Sequence, residues 1–407
     1  MVLSLVGAAG LLATAGMLLV SGLLFVSNPS LGNPTQAFMM AGGLGGAALL
    51  LLPSAWYAWR RMSGRPPTWA RPMNLWLLTL VVATLLPIVF VVGHLLSGSE
   101  LASWLVLPFF NLIAVGLPIL WLIQLGKKGL DGGTAQRQWG VFAASLALTP
   151  LVIVAVELAA FLLAGLIGLI YAVSQPGVEQ EILFLIQRLR YAPPSEEMYL
   201  RILGPYLSRP GIILAIFFGV SVIAPLVEET LKPLAVWLLA GRKLSPVQGY
   251  VAGMLSGAAF ALFENLSSTS TGGAEWAVTA ASRATTAGLH ILASGLVGYG
   301  LASAWKHKNY LRLGLAYGVA ITLHGLWNGL AVLSVAGALS SLGESFSFPE
   351  PLPQWGTGAM LGMGLLAVLN LAMLAGFPLL LQREQAQHRK QASPAPLVPP
   401  SIPLEDQ

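Results

Sequence analysis

Long apolar runs, separated by short polar stretches, recur along the whole chain. A helix rises about 1.5 Å per residue and the hydrocarbon core of a bilayer is roughly 30 Å thick, so one span takes about 20 apolar residues. Ten stretches qualify: 2–26, 37–59, 74–96, 101–125, 141–173, 211–240, 246–266, 284–305, 312–336 and 357–382. The stretch at 141–173 is too long for an upright helix and predicts one that tilts or ends along the interface. The first apolar run is too long for a signal peptide and lacks a positive n-region, so it is expected to be retained. The expected fold class is all-α: a polytopic transmembrane helical bundle of about ten spans.

Composition removes the competing classes. Hydrophobic residues make up 56% of the chain and charged residues 9%, against roughly 25% charged in a soluble globular protein. That leaves too little charge to cover a watery surface. The 45 glycines follow no three-residue period, which excludes a collagen-like chain, and the apolar content excludes disorder. With no cysteine, disulfides, thiolate nucleophiles, Cys-ligated zinc and iron–sulfur clusters all drop out. The net charge of +5 belongs to the loops of a membrane protein, and no nucleic-acid partner is expected.

The placement of that charge predicts an orientation, because short cytoplasmic loops hold the excess of Lys and Arg. The even-numbered short loops carry Arg60, Arg61, Arg65 and Arg71; Lys127, Lys128 and Arg137; Arg242 and Lys243; and Lys306, Lys308 and Arg312. Arg383, Arg389 and Lys390 follow the last span, while loops one, three and nine hold no basic residue. Both termini are therefore expected to be cytoplasmic. Of the 12 tryptophans, all but Trp327 fall near predicted span ends, where an interfacial aromatic belt sits.

Five regions follow. Residues 1–173 hold five membrane helices without a chemical motif, and 174–210 form an extracytoplasmic loop. In that loop Glu179, Glu181, Glu196 and Glu197 mix with Arg188, Arg190, Arg201 and Arg209 around apolar clusters, which suits either helices lying on the outer leaflet or a folded loop. Four helices over 211–336 carry the polar groups, 337–382 supply an outer loop and the last span, and 383–407 form a Pro-rich tail expected to be disordered. There is no internal repeat of the kind many transporters show.

An ionisable side chain at bilayer depth costs several kcal/mol, so each is a functional hypothesis. Here they cluster: Glu228, Glu229 and Lys232 in the sixth span, Glu264 with Asn265 in the seventh, His290 in the eighth, and His324 with Asn328 in the ninth. Counting the helical rise from the basic ends puts them in one layer, about 18 to 27 Å deep. Residues four apart share a helix face, which pairs Glu228 with Lys232, His324 with Asn328, and Phe260 with Glu264. Pro225 and Pro233 bracket the double glutamate, and each should free a backbone carbonyl and distort the sixth span. Elsewhere only Glu157 and His94 look deep. Arg283 reads as an interfacial anchor that shares a face with His290, and Asn265 as a cap or packing contact. The Gly253-x-x-x-Gly257 and Gly325-x-x-x-Gly329 spacings read as close helix packing.

The elements Glu228-Glu229-x-x-Lys232, Phe260-x-x-x-Glu264-Asn265, His290 and His324-x-x-x-Asn328 resemble, in order and on successive helices, the motifs of PrsW-type intramembrane proteases. That family is distantly similar to the CAAX prenyl endopeptidase and bacteriocin-processing group, whose second motif has a histidine where this chain has Glu264. The resemblance covers about 211–336. It implies hydrolysis of a peptide bond in a membrane-anchored protein, in the namesake branch an anti-sigma factor, by a multi-pass protein of the cell membrane. Glu228 or Glu229 would act as general base on a water, with Lys232 offsetting carboxylate charge. Glu264, His290 and His324 would hold a zinc ion, or would polarise water and substrate without a metal, as in a glutamic-type protease. Asn328 would donate to the developing oxyanion. Two rivals remain: a proton-coupled transporter or channel using the same groups as a relay, and a catalytically inert sensor or scaffold. Confinement of the polar groups to one layer favours hydrolysis over a path from face to face.

Overall fold

The computed structural model describes residues 1–69, 73–193, 195–340 and 352–392, and it is helical throughout, with no strand among those residues. The helices are α1 (Val2–Ser27), α2 (Pro34–Met62), α3 (Leu75–Ser97), α4 (Glu100–Leu105), α5 (Leu107–Gly126), α6 (Ala135–Val173), α7 (Val178–Tyr191), α8 (Glu196–Leu207), α9 (Pro210–Phe218), α10 (Ala224–Leu231), α11 (Leu234–Trp237), α12 (Pro246–Ser268), α13 (Trp276–His307), α14 (Tyr310–Ser340) and α15 (Leu352–Ala392). Counting 210–237 as one interrupted segment, 10 helices among the described residues are long and apolar enough to cross a membrane. They coincide with the ten predicted spans.

Three details differ from the expectation. The stretch at 101–125 divides at Val106 into α4 and α5. The stretch at 141–173 belongs to a helix of 39 residues that starts earlier, at Ala135, where Thr134 accepts a hydrogen bond from the Arg137 amide. The last helix continues past residue 382 to Ala392; the proline-rich remainder, 393–407, lies outside the described residues, as do Arg71 and most of the outer loop before α15.

Local chemistry explains the helix starts. Asn33 precedes Pro34 and accepts from the Gln36 amide, and Asn74 accepts from Leu77. Ser245 and Gln248 form a reciprocal capping box with Pro246 at the first helical position of α12, satisfying amides that a helix start leaves free. The 174–210 loop forms α7 and α8, and α7 has no buried residue.

α12 and α13 are the centre of the bundle. In their most apolar stretches 89% and 94% of residues are buried within the protein, against 11% for α1 and α3, whose surfaces are left for lipid. α12 packs on α13, α5 and α6, while α13 packs on α14, α5 and α15. The seam between the central pair is lined by glycine. A Cβ on Gly253 or Gly257 would collide with the carbonyl oxygens of Ser294 and His290 respectively, so the two backbones approach as small-residue helix pairs do in membranes.

The sixth span is the irregular one. Between α9 and α10 it makes a five-residue π turn, Gly219–Ile223, and after Lys232 it breaks at Pro233 before α11. Pro225 removes the amide that would meet the Ser221 carbonyl, and Pro233 the one that would meet Glu229, so backbone acceptors are freed on both sides of the double glutamate. The missing side chain of Gly325 lets α14 approach the Ser221 carbonyl.

Candidate active site

Four helices send their ionisable side chains to one point. Lys232, at the end of α10, is fully buried, and its Nζ lies 2.7 Å from Glu228 Oε2, 2.8 Å from Glu229 Oε1 and 2.7 Å from Nδ1 of His290 on α13. It also sits over the Phe260 ring of α12, 4.8 Å from the centroid. The sequence pairs Lys232 with Glu228 alone; the structure gives it both glutamates, one three residues back and one four.

The two imidazoles are fixed from behind by carboxylates. His324 Nδ1, on α14, is 2.8 Å from Glu229 Oε1. His290 Nε2 is 2.7 Å from Oε2 of Glu264 on α12, and Glu264 Oε1 is 2.6 Å from Nη2 of Arg283. An ammonium can only donate, so His290 must accept through Nδ1 and carry its proton on Nε2, facing Glu264. By the same reasoning His324 carries its proton on Nδ1, facing Glu229. The 3.5 Å approach of Lys232 Nζ to that nitrogen is then donor against donor and no hydrogen bond. The rings meet edge to face, with centroids 5.2 Å apart, and Phe260 packs edge-on against His290.

Glu229, His290 and His324 are buried. Glu228 keeps 12% of its side chain exposed and Glu264 keeps 34%, so the cluster is least enclosed at these two carboxylates. Oε2 of Glu229 is buried without a hydrogen-bond partner.

Glu228, His290 and His324 each offer a ligand atom, and these atoms lie within 4.8 Å of one another. Two imidazoles and a carboxylate form a donor set that suits zinc, and metal-bound histidines usually present their other nitrogen to a carboxylate, as Glu264 and Glu229 are placed to receive it. Tetrahedral zinc, with bonds of about 2.0 to 2.1 Å, keeps its ligand atoms roughly 3.3 Å apart, so these residues would close by an ångström or more. The Lys232 ammonium sits against two of the three, Glu228 and His290, and would have to withdraw from them to admit an ion. With that movement the donor set fits a divalent ion. Glu264, grouped with the two histidines in the sequence reading, stands behind His290 rather than beside Glu228 and His324.

Other expectations resolve as follows. The Asn328 amide donates to the carbonyl of Val220, 2.9 Å away, and so braces the π turn. Asn265 Oδ1 accepts from Arg283 Nε and its Nδ2 donates to the Arg283 carbonyl, both at 2.9 Å. Arg283, read from sequence as an interfacial anchor, is instead the partner of Glu264; its seven-residue spacing from His290 was the available signal. Ser145 and Ser256, whose hydroxyls lie 2.6 Å apart between α6 and α12, carried no such signal. Glu157 on α6 has a buried oxygen without a hydrogen-bond partner, and His94 is exposed.

Residues 138–349 match a family model described as PrsW family intramembrane metalloprotease. The match reaches further upstream than the four motif helices and takes in α6, α7 and α8. No curated protein and no solved structure matches the chain.

Proposed function

The chain belongs to the PrsW family of intramembrane metalloproteases, and from that premise we propose that the cluster around Lys232 hydrolyses a peptide bond in membrane-anchored protein substrates. The observation that carries this reading is the convergence of two glutamates, a lysine and two histidines from α10, α13 and α14, with Glu264 of α12 behind, in a bundle otherwise almost free of charge. A regulator such as an anti-sigma factor fits as substrate. We place the protein in the cell membrane with both termini cytoplasmic, from the basic residues of the even-numbered loops.

Glu228, His290 and His324 would hold the metal. When bound, such an ion acidifies a water and polarises a carbonyl. The chain's own groups account for the proton. Glu228 and Glu229 share a single ammonium, which leaves one negative charge uncompensated; with Glu228 given to the ion, Glu229, whose Oε2 has no hydrogen-bond partner, would accept the proton of the attacking water and return it to the leaving amine. Lys232 holds the two carboxylates together and stabilises negative charge beside them. Glu264 and Arg283 orient His290, Glu229 orients His324, and Asn328 acts through the π turn that positions α10.

The test is direct. Protein purified in detergent is assayed for bound metal and for cleavage of single-pass membrane proteins by wild type, Glu228→Gln and His324→Ala. Cleavage is expected to disappear in both variants while the proteins stay folded; unchanged cleavage would remove the assignment.

A further inference from the structure

A second hollow, of about 880 Å³, lies between α2, α5, α6 and α12. Leu255, Leu262 and Leu266 form its α12 wall. They follow one face of that helix, and Glu264 lies on the opposite face, because 3.6 residues make a turn. The hollow and the glutamate–histidine cluster therefore sit back to back on a single helix. Leu50, Ile119 and Phe142 complete the apolar lining.

At one end the lining turns polar. Gln124, Lys127 and Gln138 border both this hollow and a smaller one of about 270 Å³ lined by the Gly129–Gly133 loop, so the two adjoin at these side chains. Gln124 is only 9% exposed, yet among the described residues its amide meets no hydrogen-bond partner. Lys127, half-buried just past the end of α5, has no acidic partner among the described residues, and burial pushes its ammonium below the usual lysine value. Lys128 adds a second positive charge. The one acid in the lining, Asp131, accepts from the Gly133 amide at 3.0 Å, and the Gln138 amide donates to the Gly133 carbonyl.

We propose that this hollow binds one anionic glycerophospholipid, its acyl portion among the leucines and its phosphate at Lys127 and Gln124. An apolar cavity with a few convergent polar groups at one end is the form of a small-ligand site, and its volume falls in the usual range of about 300 to 1,000 Å³. The mouth supplies charge complementarity: basic residues at a span end attract anionic headgroups.

The full-length protein in detergent is offered equal dioleoylphosphatidylglycerol and dioleoylphosphatidylcholine, and retained lipid is counted by native mass spectrometry. Gly116 lines the hollow, with open space where a Cβ would stand, so Gly116→Trp fills it; Gly116→Leu is the smaller filling if the tryptophan variant does not fold. Wild type should retain one phosphatidylglycerol in preference to phosphatidylcholine. Either filling should abolish that retention, and Lys127→Gln should weaken it about fivefold while leaving phosphatidylcholine unaffected. Equal retention of the two lipids, or undiminished retention in the filled variant, would overturn the proposal. So would photocrosslinking that places a substrate helix, rather than a diazirine-tagged phosphatidylglycerol, against α5.

Discussion

Ser256 on α12 donates its hydroxyl to the main-chain carbonyl of Lys232 on α10. That carbonyl lies at the helix break, where the amide of Val236 turns instead to Pro233. A hydroxyl has one proton, so Ser145 must be the donor in its contact with Ser256. A hydroxyl chain thus ties α6 and α12 to the residue whose side chain holds the glutamates together. Ser256→Ala would leave a buried carbonyl unpaired and should cost about 1 to 3 kcal/mol. Thermal unfolding in detergent reads the loss, and cleavage should fall with it, since Lys232 is positioned from this carbonyl.

Lys232→Met strands two carboxylates in an apolar interior. Removing one partner of a buried ion pair typically costs about 3 to 5 kcal/mol, so the variant should unfold far earlier than wild type. Adding Glu229→Gln removes one of the stranded charges and should recover part of the stability. Additive losses in the double-mutant cycle would contradict the shared-ammonium description.

Glu264→Gln keeps the size of the side chain but removes the charge that faces His290 and Arg283. Loss of a group that orients a metal-binding histidine commonly lowers metal affinity or activity about 10- to 100-fold. Bound zinc per protein and cleavage rate should fall together, with little change in unfolding temperature.

Gly253→Val drives a branched side chain into the Ser294 carbonyl across the α12 and α13 seam. Overpacking of this kind costs about 1 to 3 kcal/mol or more. Because Glu264 and His290 stand on the two helices of that seam, activity should fall more steeply than stability, which paired melting and cleavage measurements would separate.

Outside the membrane segments, Glu181 of α7 is bonded to Arg209 at the start of α9, and that hydrogen bond holds its carboxyl below the usual carboxylate range. A depressed folded value means the contact contributes above the ordinary glutamate value of about 4.3 and is lost as pH falls through the folded one. Protection of the α7 amides, taken relative to their intrinsic exchange rate at each pH, should therefore fall below about pH 4, and Glu181→Gln should show the lowered protection already at neutral pH. Unchanged protection across that range in wild type would exclude the tether.

Much of this was readable beforehand, and the reasons are physical. Apolar length marks the spans because the bilayer dictates it, and Glu228, Lys232, His290 and His324 stand out because charge is expensive at that depth. Helical spacing says which residues share a face, but not what faces them. Hence Arg283 reads as an anchor in the sequence but faces Glu264 in the structure, and one donor of the Asn328 amide goes to the Val220 carbonyl, a partner that spacing does not reveal. The π turn has no local signature beyond nearby proline, and the division at Val106 falls inside an unbroken apolar run.

The glycine seam gives the pocket one immovable jaw. α12 and α13 are packed main chain to main chain along the glycines, whereas the opposing α10 hangs between a π turn and a proline break like a short plank on two joints. Any widening of the site falls more readily to α10 and the edge it shares with α14. An inhibitor shaped to the α12 and α13 side would rest on the wall with the least room to give way.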